Sequence, residues 1–387
     1  MSIKKILILL VVSLAPALNG NCAMAQGTAP GNGIFDIRSF GAKGDGVSDD
    51  TKAIQNAANA IPDAGGKLYI PRGIFIVRNV SLKSGTTVTG EGADSVLKLP
   101  PSATSGGILT VSYKNNITVR DVAFDGSDTG RTTSGHSTAC FWVQAAAGDV
   151  TVENCSFRNN TECSSCVRID SPIGKTSHDI TISHCLFENV DVGVITYGCR
   201  DVCVNQCTYR GTSEGISFWH DSGFEGNYSC FATDNIIEDT GGSAKGIVFG
   251  FCDTFEASGN RISNTGKGGI AFWGPCKNGE ITENTISDFG RANDCGGIED
   301  MNWNGIQDVL EDITITDNTI EDYIGWQGKG SVGKGFSFWG TGAKNGLVIE
   351  HNRLAHTGHY GIYFEGNAGA NTIRDNTFIN IPVELNQ

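Results

Sequence analysis

The sequence predicts an all-β fold: one elongated domain built as a parallel β-solenoid of about ten coils, with a short N-terminal capping helix. Three observations point there. Val122, Cys155, Cys185, Cys207, Asn235, Asn260, Asn284, Asn318, Asn352 and Asn376 recur at intervals of 22 to 34 residues. Each is followed two residues later by a large apolar side chain, from Phe124, Phe157, Phe187 and Tyr209 through Ile237, Ile262, Ile286, Ile320 and Leu354 to Phe378. The 52 glycines and 9 prolines suit a turn-dense chain. A unit this short cannot bury its apolar face alone, so successive units must stack. The six consecutive asparagines are then expected to form one buried ladder of hydrogen-bonded amides, and the three cysteines to replace them as small apolar residues.

Taken in chain order, Lys4 and Lys5, the apolar run from Ile6 to Ala17, and Ala23-Met24-Ala25 form the three parts of a secretory signal peptide. The expected plan is a signal peptide over 1–25, an N-terminal cap and first strands over 26–80, and coils over 81–387, in a protein that is secreted or periplasmic after cleavage near Ala25. No later segment is long and apolar enough to span a membrane. Asp50 or Thr51 should start a helix running to Ala60, with Ala53, Ile54, Ala57 and Ala58 on one apolar face. That helix would cover the open end of the first coil.

The same region, from Ile34-Phe35-Asp36-Ile37-Arg38-Ser39-Phe40-Gly41 through Gly44-Asp45-Gly46 and Asp49-Asp50-Thr51 to Gly65-Gly66 and Ile70-Pro71-Arg72-Gly73, resembles the opening of the pectin lyase-like superfamily. Polygalacturonase-type hydrolases, mannuronan C-5-epimerases and tailspike depolymerases share it. The resemblance implies a right-handed parallel β-helix acting on polysaccharide, without choosing a reaction. The chain departs from the better-known members: it lacks the hydrolases' Asn-Thr-Asp, Asp-Asp, Gly-His-Gly and Arg-x-Lys set, and the epimerases' Tyr-Gly-Phe-Asp-Pro-His signature.

The net charge of −14 excludes a nucleic-acid binder and favours a neutral glycan. Of 13 cysteines, Cys140 with Cys166 and Cys252 with Cys276 fall on neighbouring coils as candidate disulfides, while the column of Cys155, Cys185 and Cys207 suits buried thiols.

The chemistry is expected after the glycine of each coil, where segments such as Ile216-Ser217-Phe218-Trp219 and Ile270-Ala271-Phe272-Trp273 align. With the first and third residues inward, the fourth positions make an outer column of Asp170, Tyr197, Trp219, Gly250, Trp273, Met301, Trp339 and Glu365. Trp219 and Trp273, two coils apart, would stand roughly 9.6 Å from each other, with room at Gly250 for a sugar ring between them. Tyr197, Trp219, His220, Trp273, Trp339 and Arg168 are therefore the substrate-binding candidates, and turn packing is the competing explanation for the indoles. Glu299, Asp300, Asp221 and Glu365 are the catalytic candidates, since glycoside hydrolysis needs one protonated and one ionised carboxyl group. Asp300 falls on an inward position filled elsewhere by Phe; either Glu299-Asp300 is a catalytic bulge or the register slips there.

The leading reading is hydrolysis or glycosyl transfer on an extended polysaccharide. A lyase or C-5-epimerase acting on a uronic-acid polymer, with Arg168 and a bound calcium, is the alternative. A non-catalytic glycan-binding solenoid is the third. No other cofactor is expected, no structural metal site is evident, and the protein would be a monomer or self-associate through its C-terminal end.

Overall fold

The computed structural model describes residues 33–127, 138–242, 244–290, 295–301, 308–322, 333–340, 342–366 and 369–386. The expected signal segment lies outside them. Strands pair in parallel from coil to coil. In one coil they are Asn227–Thr233, Ile236–Glu238 and Ile247–Gly250, which we call the first, second and third sheets. The next coil lays Cys252–Ser258, Arg261–Ser263 and Ile270–Trp273 beneath them.

The second sheet carries the apolar repeat in register from Phe124 to Phe378. Its aromatic members stack ring on ring, at 4.9 Å between Phe124 and Phe157, 4.8 Å to Phe187 and 4.5 Å to Tyr209. The column begins earlier than the sequence repeat, with Phe75 over Leu97 and Leu97 over Phe124.

The asparagine ladder forms as expected. Asn284 Oδ1 accepts from the backbone N–H of Asn260 at 3.0 Å and from its Nδ2 at 2.9 Å, while Asn284 Nδ2 donates to Asn318 Oδ1 at 2.9 Å and to the carbonyl of Ala257 at 2.8 Å. The same pattern links Asn235 through Asn376. Cys155, Cys185 and Cys207 sit in the equivalent slot but are more than apolar fillers. Their thiols donate to the carbonyls of Val119, Val152 and Ile182, the counterparts of the Val204 carbonyl that Asn235 Nδ2 reaches. Before each ladder position the chain turns through a left-handed residue, among them His184, Gln206, Asp234, Glu283, Asp317 and His351.

A second column interlocks the coils. Gly193, Gly246, Gly269, Gly297, Gly335 and Gly361 each open the third sheet. A Cβ there would strike the apolar-repeat side chain of the following coil: Tyr209 at 2.4 Å, Ile262 at 2.8 Å, Ile286 at 2.5 Å, Ile320 at 2.6 Å, Leu354 at 2.1 Å and Phe378 at 2.5 Å. Each glycine is the hole into which the next coil's knob fits.

The one α-helix among the described residues, Thr51–Ala60, buries Ile54, Ala57 and Ala58 against the first coil, with Ala53 half-buried. Asp50 does not cap it with its side chain; its carboxylate instead accepts from the backbone N–H groups of Lys43 at 2.7 Å and Gly44 at 3.0 Å. The expected disulfides do not form: Cys140, Cys166, Cys252 and Cys276 are free and buried. In-register side chains of parallel strands project in the same direction, whereas a disulfide needs converging Cβ atoms. Burial pushes the Cys252 thiol up to about 11 and that of Cys276 to about 12. Among the described residues no helix is long and apolar enough to cross a membrane.

Candidate functional site

The third sheet places the candidate residues. Phe218, Phe249 and Phe272 follow one another in register and are buried, so the first and third positions do point inward. Asp170, Tyr197 and Trp219 are register partners in the outer column, as are Gly250 and Trp273. The expected gap for a sugar is closed, however. The rings of Trp219 and Trp273 stack at 4.1 Å and 13°. Gly250 contributes no side chain, so the two indoles lean across its coil and meet. Phe251 packs edge-on against Trp273 at 5.2 Å, and His220 stacks on Phe251 at 4.3 Å. Burial lowers the pKa of His220.

Toward the N-terminal coils, the Arg168 guanidinium lies between the rings of Trp142, at 4.8 Å, and Tyr197, at 4.6 Å. Its Nε donates to both Asp170 oxygens, at 2.8 and 3.1 Å, and Trp142 Nε1 donates to Asp170 Oδ2 at 2.8 Å. Tyr197, with Val192 and Ile195, forms an apolar cluster outside the main core, against which Trp219 and Phe224 pack. Burial raises the Tyr197 phenol to about 12, so it is a proton donor across the physiological range.

Near the start of the same strands a group of charges gathers around the candidate Glu299: Lys245, and Glu214, which the sequence pattern did not mark. Glu214 pairs with Val192 across the sheet, and Lys245 stands two residues before Ile247 as Glu214 does before Ile216. On the next coil the equivalent residue is Gly268, and the Glu299 carboxylate reaches back to it. Oε1 accepts from Gly268 N at 3.3 Å and Oε2 from Gly296 N at 3.2 Å. Burial raises the pKa of both acids, and Lys245 is the main opposing influence on each. Asp191 pushes Glu214 up further, whereas the two backbone donors pull Glu299 back.

Asp300 is not on this face. It pairs with Phe272 in unbroken register, so there is neither a bulge nor a slip, and it lies inside the solenoid, only 1% exposed. A buried carboxylate needs partners. Oδ1 accepts from Trp339 N at 2.6 Å, and Oδ2 lies 2.9 Å from Lys344 Nζ, close enough for an ion pair although off the hydrogen-bond line. Burial holds the carboxyl up at about 7, against the pull of Lys344.

The other candidates lie apart. Asp221 is exposed in the turn after Trp219 and accepts from Ser222 N at 2.6 Å. Glu365 is exposed and accepts from Gly340 N at 2.8 Å. Trp339 is half-buried, 5.2 Å from the Tyr363 ring, with Lys334 Nζ 3.9 Å from its centroid. Among the described residues no three His, Cys, Asp or Glu side chains converge as a metal site would.

With this geometry in view, comparison with known proteins gives the family. The model for rhamnogalacturonase A/epimerase, pectate lyase-like proteins matches residues 34–242, more than half of the chain. The chain belongs to that family. A right-handed β-helix model matches residues 223–385, which fixes the hand of the coils. Mannuronan C5-epimerase AlgE4 of Azotobacter vinelandii is 32% identical over 144 residues, covering 32% of this chain and 26% of the epimerase. The preneck appendage protein of Bacillus phage PZA is 39% identical over 84 residues, covering 21% of this chain and 9% of the phage protein. The matched stretches are thus a small part of these relatives. Among solved structures, the A-module of AlgE4 superposes with a TM-score of 0.58 at 17% identity, covering 92% of this chain and 98% of the module. PfbA, a surface adhesin of Streptococcus pneumoniae, gives 0.63 at 17% identity, covering 91% and 93%. The enzymatically active domain of bacteriophage CBA120 tailspike protein 2 gives 0.59 at 16% identity, covering 84% and 48%.

Proposed function

We propose that this member of the family is an exported protein that acts on an extended, neutral polysaccharide along the outer face of the third sheet, cleaving it by carboxylate-assisted hydrolysis. The observation that carries this reading is the pair Glu214 and Glu299, two carboxyl groups on one outer face, both driven toward their protonated forms by burial. Gly268, which the Glu299 carboxylate faces, lies two coils from Glu214, about 9–10 Å at the pitch of parallel strands. A spacing of that order leaves room for a water, as in inverting enzymes, whose carboxyl groups roughly 6.5–9.5 Å apart protonate the leaving oxygen and activate water on the opposite face of the sugar. Glu214, raised further by Asp191, is the proton donor to the leaving oxygen. Glu299, stabilised by two backbone N–H groups, is the base that takes a proton from water. Trp219, Trp339 and Trp142, each half-buried, supply apolar edges for sugar rings, and Trp273 backs Trp219 from beneath.

Incubation with neutral and uronic-acid polysaccharides, followed by mass spectrometry, tests this. Products carrying one added water, lost in both Glu214→Gln and Glu299→Gln, are expected. Unsaturated ends on uronides would sink the proposal in favour of the lyase reading. Against that reading stands the engagement of the Arg168 guanidinium by Asp170.

A second reading is a glycan-binding surface protein without turnover. It is supported by the position of Lys245 between the two acids and by the direct contact of Trp219 with Trp273. Binding that persists in both glutamine variants, with no product from any polysaccharide, would select it.

A further inference from the structure

Along the third sheet an inward aromatic column runs through Phe218, Phe249 and Phe272 and resumes at Phe338 and Phe364. Asp300 interrupts it, replacing an apolar ring by a charge at a site where ionisation is costly. The backbone around it explains what the charge does. At the coil above, Met301 N donates to the Phe272 carbonyl at 2.9 Å, and at the coil below Glu365 N donates to the Phe338 carbonyl at 2.8 Å. The corresponding rung between these coils is Trp339 N, and it goes to the Asp300 carboxylate at 2.6 Å. A side chain therefore stands in for a backbone carbonyl at the point where Trp339 leaves the sheet.

Lys344 holds that carboxylate in place. Its Nζ lies 2.9 Å from Asp300 Oδ2 and donates to the carbonyls of Asp308 at 2.6 Å and Gly342 at 3.3 Å. Asp308 in turn accepts from Gly274 N at 2.5 Å through Oδ1. Asp300, Asp308 and Lys344 are all nearly fully buried. The network ties together the turns that follow the third-sheet strands on three successive coils.

We infer that Asp300, clamped by Lys344, is a positioning residue that fixes the backbone of Trp339 and so aims its indole along the polysaccharide-binding face. The link to polysaccharide rests on the function proposed above; the fixing of Trp339 does not.

Amide hydrogen exchange on the wild-type protein is the first test, and Trp339 should be protected to the level of neighbouring rungs. The second uses Asp300→Leu combined with Lys344→Met, which removes both charges together so that neither is stranded, and Asp300→Asn, which keeps the acceptor oxygen. Acrylamide quenching of Trp339 is read by difference from Trp339→Phe in each background. The double variant should raise quenching toward that of an exposed indole, and Asp300→Asn should stay near wild type. Polysaccharide affinity should fall by about tenfold in the double variant, the scale of one aromatic contact. An unprotected Trp339 amide in the wild type, or unchanged quenching in the folded double variant, would overturn the inference. A released indole with unaltered polysaccharide binding would uphold the staple and refute Trp339 as a sugar contact.

Discussion

Removing one central amide from the asparagine ladder is the sharpest test of how the coils hold together. In Asn284→Ala the backbone N–H and the Nδ2 of Asn260 both lose the oxygen that now accepts from them, at 3.0 and 2.9 Å. The carbonyls of Ala257 and Thr282 and Oδ1 of Asn318 lose the Nδ2 that reaches them at 2.8, 3.0 and 2.9 Å. Asn260 is fully buried, so water cannot replace its acceptor. Two stranded donors at about 1–3 kcal/mol each put the cost at about 2–6 kcal/mol. Asn284→Cys should recover about 1 kcal/mol of this, because a thiol in that slot can donate to the carbonyl above, as Cys207 does to Ile182. Asn376 ends the ladder and is half-buried, so its removal lets water reach the N–H and Nδ2 of Asn352 that it now accepts from, and Asn376→Ala should cost no more than about 1.5 kcal/mol. Urea unfolding of the three variants reads these differences as shifts in midpoint at constant slope. If the Asn284→Ala loss were no larger than that of Asn376→Ala, the ladder would not be a source of cohesion.

Four further outcomes are expected. Lys344→Met alone strands the Asp300 carboxylate and should cost about 3–5 kcal/mol in chemical denaturation, well above the loss in Asp300→Leu with Lys344→Met. The Asp300 carboxyl titrates at about 7 in the folded protein against 3.8 in a free chain. The native state thus holds its proton more tightly, and this contribution to stability is complete below about pH 4 and lost as pH rises through 7. Melting temperatures at pH 5 and pH 8 should therefore differ less in Asp300→Asn than in wild type. Gly250→Leu places atoms where Trp273 Cε3 now stands 3.1 Å from a built Cβ, so it should part the two indoles. The near-ultraviolet circular dichroism of the stacked pair should then be lost while the far-ultraviolet spectrum is kept. The ten buried thiols among the described residues should resist Ellman's reagent in the native protein and react on denaturation.

The ladder and the third-sheet register were legible because both are periodic: one position repeated over ten units averages out local exceptions. Even the inward placement of Asp300 follows from that alignment. Its partner does not, because Lys344 lies beyond an irregular stretch of the following coil, where no repeat carries the count. Glu214 was missed for a local reason. Gly215 and Ile216 both face the interior, which breaks the alternation and turns the residue before the glycine outward. The separation expected between Trp219 and Trp273 assumed rings standing straight out from the backbone. A vacancy at Gly250 lets them lean, and no strand spacing encodes that.

The fit of each third-sheet glycine around the next coil's apolar-repeat residue has an evolutionary reading. From Gly193 to Gly361 the same joint recurs, so a segment running from one glycine to the next can be duplicated or lost and the new neighbours will still mate. A single inserted residue between glycine and apolar knob would misalign one joint and gain nothing. Length in this architecture should therefore change in whole coils, with irregular insertions confined to the turns, where binding surfaces can diversify without disturbing the stack.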